Sequence, residues 1–246
     1  MIGKLEKEVE IQRRYYTDTA AYYDQMHGHE ASENPRTFNL LCAMLRLADA
    51  KTVLEVGAGT GRWIRRLSEA TPALSVYGVE PVTALVDEAR KKSGVPESTI
   101  IQAVGEQLPF TDGSFDVVLS LGILHHVRQP NLIVREMLRV ARRAVIIIDG
   151  NRFGQGRWPV RLLKLGLYKT GLWKVANYLK TGGKGYELTE GDGLAYSYSV
   201  YDSFDLLANS AEQLIITPSE PCVPTSWFHP LLTAPGLVVC AMKKTD

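Results

Sequence analysis

Val53-Leu54-Glu55-Val56-Gly57-Ala58-Gly59-Thr60-Gly61 is the stretch on which the reading of this chain turns. A short apolar, β-branched run enters a turn with glycine at every second position, and the helical pattern Arg62–Ala70 leaves it. Glycine is needed where φ is positive or where a ligand must come close to the main chain. In open α/β sheets such a turn lies at the carboxyl edge of the strands, where ligands collect. A dinucleotide fingerprint, G-x-G-x-x-G, would put its third glycine at position 62, which is Arg62. A phosphate-cradling P-loop would end in Gly-Lys-Ser/Thr, which is absent. The G-x-G-x-G spacing therefore favours a cofactor without a pyrophosphate.

Outward from this turn, apolar runs alternate with helical patterns. Leu74–Val79 is a strand ending in Glu80, Val82–Lys92 a helix, Thr99–Val104 and Phe115–Ser120 strands, Leu132–Val140 a helix, and Ala144–Asp149 a fifth strand. Gln213–Thr217 and Leu237–Met242 read as two more strands. Nearly all-apolar strands separated by helices predict a parallel sheet covered on both faces. Upstream, residues 4–26 read as a tyrosine-rich helix, and Arg36–Ala48 as a second helix with the stripe Phe38, Leu41, Met44, Leu45. Glu80 follows Gly61 by 19 residues and ends the next strand, so its carboxylate can accept from both hydroxyls of a ribose.

The 246 residues suit one α/β domain with an insertion, and the 45% apolar share is enough to bury a core. A net charge of +1 gives no global case for nucleic acid. The opening MIGKLEKEVEIQRRYY lacks the apolar core of a signal peptide, and no run reaches membrane-spanning length. Cys42, Cys222 and Cys240 have no metal-ligand spacing. A reducing cytoplasm is the expected setting, and no metal is expected.

VLEVGAGTG, the acid of YGVEP, the stretch GEQLPFTDGSFDVVLS and the following LGILHHV together resemble the class I S-adenosylmethionine (SAM)-dependent methyltransferases. The resemblance, over residues 52–149, is to the group that includes ubiquinone and menaquinone methylases. It implies a Rossmann-like α/β fold with a seven-stranded, mostly parallel sheet whose last strand is antiparallel. It also implies SAM as cofactor, with S-adenosylhomocysteine as product. Glu55 and the backbone of Gly57, Ala58, Gly59 and Gly61 would face the methionine portion, and Glu80 the ribose. Pro81 and Val82 would lie on the adenine face, and Val104, Gly105 and Glu106 at its edge. Ser120 and Leu121 would close the pocket near the methionine part. Relatives often carry an aspartate where this chain has Val104, so a backbone carbonyl or Glu106 must substitute there.

Methyl transfer from a sulfonium is an in-line displacement in which the cofactor carries the reactive group, so the protein chiefly binds, aligns and dries the site. A hydroxyl acceptor would benefit from a general base. His125 of the His125–His126 pair is the favoured candidate, weighed against simple packing or helix capping; Asp149, at the end of the fifth strand, is the second. Asn151 fits turn chemistry better. Tyr16 or Tyr23 of the first helix would touch cofactor or substrate, and His229 has only its position to recommend it.

Residues 151–205 are too many for a simple crossover and read as an inserted helical lid. The expected division is a helical cover over 1–50, a SAM-binding core over 51–150, the lid, and the last two strands over 206–246. Between Asn151 and Tyr186 stand eight basic residues and no acidic one: Arg152, Arg157, Arg161, Lys164, Lys169, Lys174, Lys180 and Lys184. Interleaved aromatics and leucines make three uses open: a covering lid with solvated lysines, a receiver of an anionic or lipid-like substrate, or a peripheral membrane contact. The expected activity is methylation of a small molecule, with oxygen or carbon ahead of nitrogen. The rivals are a SAM-binding sensor without catalysis and a nicotinamide-dependent oxidoreductase.

Overall fold

A computed structural model describes residues 2–27, 34–92, 99–224 and 226–244, with side chains from Glu6 onward. In chain order, helices α1 (Ile2–Thr19), α2 (Tyr23–His27) and α3 (Pro35–Leu47) precede an alternation of strands and helices. It runs β1 (Thr52–Val56), α4 (Arg62–Ala70), β2 (Ser75–Glu80), α5 (Thr83–Lys91), β3 (Ile100–Gln102), β4 (Phe115–Leu121), α6 (Pro130–Val140) and β5 (Ala141–Gly150). After it come α7 (Trp158–Lys169), α8 (Trp173–Lys180), β6 (Tyr186–Thr189), β7 (Gly193–Tyr196), α9 (Phe204–Ser210), β8 (Ala211–Pro218) and β9 (Gly236–Lys243).

Seven of these strands form one sheet in the order β3-β2-β1-β4-β5-β9-β8. β1 pairs in parallel with β2 and β4, while β9 is antiparallel to both β5 and β8. The sheet is therefore the seven-stranded, mostly parallel one that the strand pattern and the resemblance imply. Because side chains alternate along a strand, successive apolar residues feed two separate cores. Val53, Leu119, Ile146 and Val238 pack with Leu41 and Met44 of α3 and with Trp63 and Leu67 of α4. Leu54, Val118, Val145 and Val239 pack on the other face with Ile133 and Met137 of α6 and Leu207 of α9. Each such buried side chain contributes about 1.5–3 kcal/mol of transfer free energy.

Chain order reverses between β1 and β4, so the carboxyl ends of these two neighbours open a crevice. α1 closes it from above. The guanidinium of Arg128 donates to both oxygens of the buried Glu8, each at 2.6 Å, and the Tyr196 hydroxyl donates to the same carboxylate. Two features depart from expectation. α3 does not join the cover; its apolar stripe packs directly on the sheet. The segment expected as a helical lid is only half helical, because β6 and β7 form an antiparallel hairpin beneath α1, where the Leu194 N–H donates to the buried Gln12. The pairing supplies partners for main-chain groups that a helix would otherwise have satisfied. No helix among the described residues is long and apolar enough to cross a membrane.

Candidate active site

Two cavities meet at the carboxyl edge of the sheet. The first, about 290 Å³, is enclosed by the β1–α4 turn, the end of β2, the loop after β3, the turn after β4 and the underside of α1. Its lining includes Glu55, Gly57, Ala58, Gly59, Glu80, Pro81, Val82, Val104, Gly105, Glu106 and Leu121, with Tyr16 and Tyr23 from the helical cover. Gly57 has φ 79°, and a Cβ there would stand 2.8 Å from the Ile123 side chain. The turn can therefore pass close under the cavity only with glycine.

Glu80 is held by the main chain on both sides. Its Oε2 accepts from the Gly59 N–H at 3.0 Å and its Oε1 from the Val82 N–H at 2.9 Å. These bonds tie the end of β2 to the glycine turn and leave further lone pairs on both oxygens. Burial pushes the carboxyl up to about 7, outweighing the two N–H donors that hold it down. Glu55, at the end of β1, is also buried, and its Oε2 has no hydrogen-bond partner. Burial raises its carboxyl well above the usual range; nearby Arg62 opposes this and Glu80 adds to it. A polar oxygen buried without a partner costs roughly 1–3 kcal/mol, so this wall of the cavity favours a ligand with a donor.

Four of the sequence candidates lie elsewhere. Gly61 has φ 70° and caps α4 outside the cavity lining. Ser120 is fully buried within the central strand β4 and lines neither cavity, because only its neighbour Leu121 reaches the strand end. His125 and Asp149 border the second cavity, and within the turn after β4 it is His126 that faces the first. Consecutive residues of this single 3-10 turn, Leu124–His126, point in different directions, which spacing alone does not reveal.

The second cavity is larger, about 660 Å³, and lies under α7, α8 and the β6–β7 hairpin. Gly122, Asp192 and Tyr196 line both cavities. Here Asp149 Oδ2 accepts from the Leu124 N–H at 3.0 Å, and its Oδ1 pairs with His125 Nδ1 at 2.8 Å. Burial alone would lower His125, yet the carboxylates of Asp149 and Asp192 outweigh it and raise the imidazole to about 10. A ring in that state offers protons rather than accepting them, so it is not poised as a general base.

The lid's contribution is cationic and aromatic. Arg152 is 5% exposed, pairs with Asp202, and lies within 5.3 Å of the centre of the Trp173 ring. Its Nε is buried without a hydrogen-bond partner. Burial lowers this guanidinium to about 10, so it remains a cation near neutrality. Lys164, beside it, is lowered by burial and by the neighbouring charges of Lys180, Arg152 and Arg161. Arg152 and Lys180 are each paired with a carboxylate, Asp202 and Glu187. The Lys164 ammonium instead donates to the main-chain carbonyls of Arg152 and Gln155, so the positive charge available to an anion is concentrated at Lys164. Asn151, by contrast, is fully buried, caps the following turn through Phe153 N–H and donates to Leu231 and Ala234 carbonyls. His229 pairs with Thr233 and lines neither cavity. Sequence reading missed Asp192 and Glu8, whose partners lie far away along the chain, and ranked His126 behind His125.

Residues 54–148 match the family described as "Methyltransferase domain". A protein of Mycolicibacterium gilvum named "Uncharacterized methyltransferase" is 38% identical over 91 residues, covering 37% of this chain and 35% of that one. Across the mycobacterial relatives the match spans between 35% and 65% of their length, so less than two thirds of each is represented here. Among solved structures, a Thermotoga maritima protein described as a "SAM-dependent methyltransferase, possible histamine N-methyltransferase" superposes with a TM-score of 0.59 at 20% identity, covering 96% of this chain and 99% of that chain. Magnesium protoporphyrin IX methyltransferase of Synechocystis, crystallised with S-adenosylhomocysteine, gives 0.58 at 18% identity, covering 96% and 100%. The protein thus has the class I, Rossmann-like methyltransferase fold. Its central stretch belongs to the methyltransferase domain family.

Proposed function

We propose that the protein is a SAM-dependent methyltransferase whose first cavity takes the cofactor and whose second takes an anionic small-molecule acceptor. The observation carrying the first half is the Glu80 carboxylate, fixed by two main-chain N–H groups at the cavity wall. It suits a ribose diol, which needs two acceptors at fixed separation. Glu55 Oε2, buried without a partner, suits the α-ammonium of the methionine part. Val82, Leu85, Val104 and Leu132 offer an apolar slot for a purine. The glycine turn leaves no side chain between backbone and ligand.

Bound there, SAM supplies an electrophilic methyl group on its sulfonium. The chain's own part is to orient the acceptor and exclude water. Arg152, Lys164 and Lys180 supply positive charge to the second cavity, and Trp173 and Tyr186 supply aromatic surface. Gly122, Asp192 and Tyr196, common to both linings, mark where the two ligands would meet. An oxygen or carbon nucleophile is our reading. Because Asp149, Glu187, Asp192 and Glu220 line the same cavity as the cations, amines belong in the acceptor panel that tests it.

The test is calorimetric SAM binding followed by measurement of S-adenosylhomocysteine over a panel of carboxylated, phosphorylated, neutral and amine acceptors. Tight binding without turnover on any of them would favour a SAM-binding sensor, and NADH binding without SAM binding an oxidoreductase. A membrane-surface reading of the lid has its own support: α7 and α8 bury no residue, and Leu162, Leu163, Val175 and Leu179 are exposed beside lysines. Cosedimentation with vesicles containing anionic lipid tests it.

A further inference from the structure

The junction of the two cavities holds a side-chain arrangement that neither ligand accounts for. His125 and His126 lie side by side with ring centres 4.0 Å apart. Their Nε2 atoms both approach the carboxylate of Asp192, His125 reaching Oδ2 and His126 reaching Oδ1, each at 3.2 Å. The candidate ligand atoms of the three residues all lie within 4.8 Å of one another.

Each ring is anchored from behind through its other nitrogen. His125 Nδ1 is 2.8 Å from Asp149 Oδ1, on a carboxylate with no side-chain exposure. His126 Nδ1 is 2.8 Å from the Leu194 carbonyl, which can only accept, so that nitrogen carries a proton, and in the neutral ring Nε2 presents a lone pair. A carboxylate behind one ring and a backbone carbonyl behind the other is the usual outer support of metal-binding histidines. The two 3.2 Å contacts go to different oxygens of Asp192, and the three candidate atoms, within 4.8 Å of one another, need to draw in by roughly an ångström to share one ion. Ligands about 2.0–2.1 Å from a tetrahedral ion stand roughly 3.3–3.4 Å apart.

The geometry points to a binding site for one divalent transition ion, of the Zn²⁺, Co²⁺ or Fe²⁺ kind, on His125 Nε2, His126 Nε2 and Asp192. Two imidazoles and one carboxylate suit these ions better than Mg²⁺ or Ca²⁺, which prefer oxygen. The ion takes the place of the proton on His125 Nε2, which is released to solvent, and at His126 Nε2 it displaces the Tyr16 hydroxyl 2.9 Å away. Three protein ligands leave coordination positions open, as catalytic sites require. Asp192 lines both cavities, so an open position can hold an oxygen of the acceptor and favour its ionised form. This last role rests on the acceptor reading given above; the ion site does not.

The test uses the full chain after chelator treatment, without SAM or acceptor, titrated with Co²⁺ and then Zn²⁺. Expected is one ion per chain, visible Co²⁺ absorption, and its loss on Zn²⁺ displacement. Asp192→Asn and His125→Gln should each weaken binding at least tenfold, and Asp149→Asn by about 10- to 100-fold. Thermal unfolding and far-ultraviolet circular dichroism of the same samples report whether each variant is folded. Should a variant fail to fold, histidine side-chain ¹⁵N NMR of the unaltered chain decides. Zn²⁺ should shift the Nε2 resonances of His125 and His126 and leave the other three histidines unmoved. Absence of stoichiometric binding, equal binding by folded Asp192→Asn, or shifts confined to other histidines would overturn the site.

Discussion

The two cavities share a wall but are made of different materials. The first is chiefly backbone: a glycine turn and strand ends, with Glu80 clamped by the N–H groups of Gly59 and Val82. The second is made of long side chains brought from separate elements: Arg152 after β5, Lys164 on α7, and Trp173 and Lys180 on α8. A backbone pocket is fixed when the sheet forms, and its shape depends on a few irreplaceable positions. A side-chain pocket can change its ligand by point substitution while the fold persists. The first therefore suits a cofactor common to many enzymes, and the second an acceptor particular to this one.

The sharpest way to break the comparison is Glu80→Ala. It removes the carboxylate proposed for the ribose and leaves two N–H groups without their acceptor, so SAM affinity should fall by about 100-fold or more in calorimetry, at 1.5–3 kcal/mol per charged hydrogen bond. Gly57→Ala tests the backbone character of the same pocket. With φ 79° and Ile123 only 2.8 Å from the new Cβ, stability should drop by about 1–3 kcal/mol in denaturant unfolding.

The pH dependence follows from Glu80, whose carboxyl is pushed by burial up to about 7. The ribose needs the ionised form, so affinity is fully present above that value and is lost as pH falls through it. Between pH 8 and pH 6 the decline should be about tenfold, with proton release on binding. Glu55, also raised, works in the same direction. In the second cavity, Lys164→Met should raise KM for an anionic acceptor roughly five- to tenfold, about 1–1.4 kcal/mol. SAM affinity should stay within twofold.

The same contrast explains how much could be read from the sequence. All seven sheet strands and the G-x-G-x-G turn were legible because both are local: burial on two faces demands unbroken apolar runs, and a ligand against the backbone demands glycine. Glu80 was legible because strand length sets its distance from Gly61. What escaped was assembled over long range. Asp192 sits in the turn between two four-residue strands, too short to show a period of two, and only folding brings it to histidines more than sixty positions earlier. Which of His125 and His126 faces which cavity was not legible, because neighbouring residues of a 3-10 turn point in different directions. Arg152 stood among eight basic residues, and its burial depends on packing against Trp173 and Asp202. That α3 is part of the core and not the cover is likewise a matter of which surface its apolar stripe meets.

The division of labour is tested most directly by measuring SAM binding to Glu80→Ala and Lys164→Met side by side, with the unaltered chain as reference. The account predicts that Glu80→Ala loses affinity by about 100-fold or more while Lys164→Met binds like the unaltered protein. Undiminished binding by a folded Glu80→Ala, or a loss confined to Lys164→Met, would contradict it.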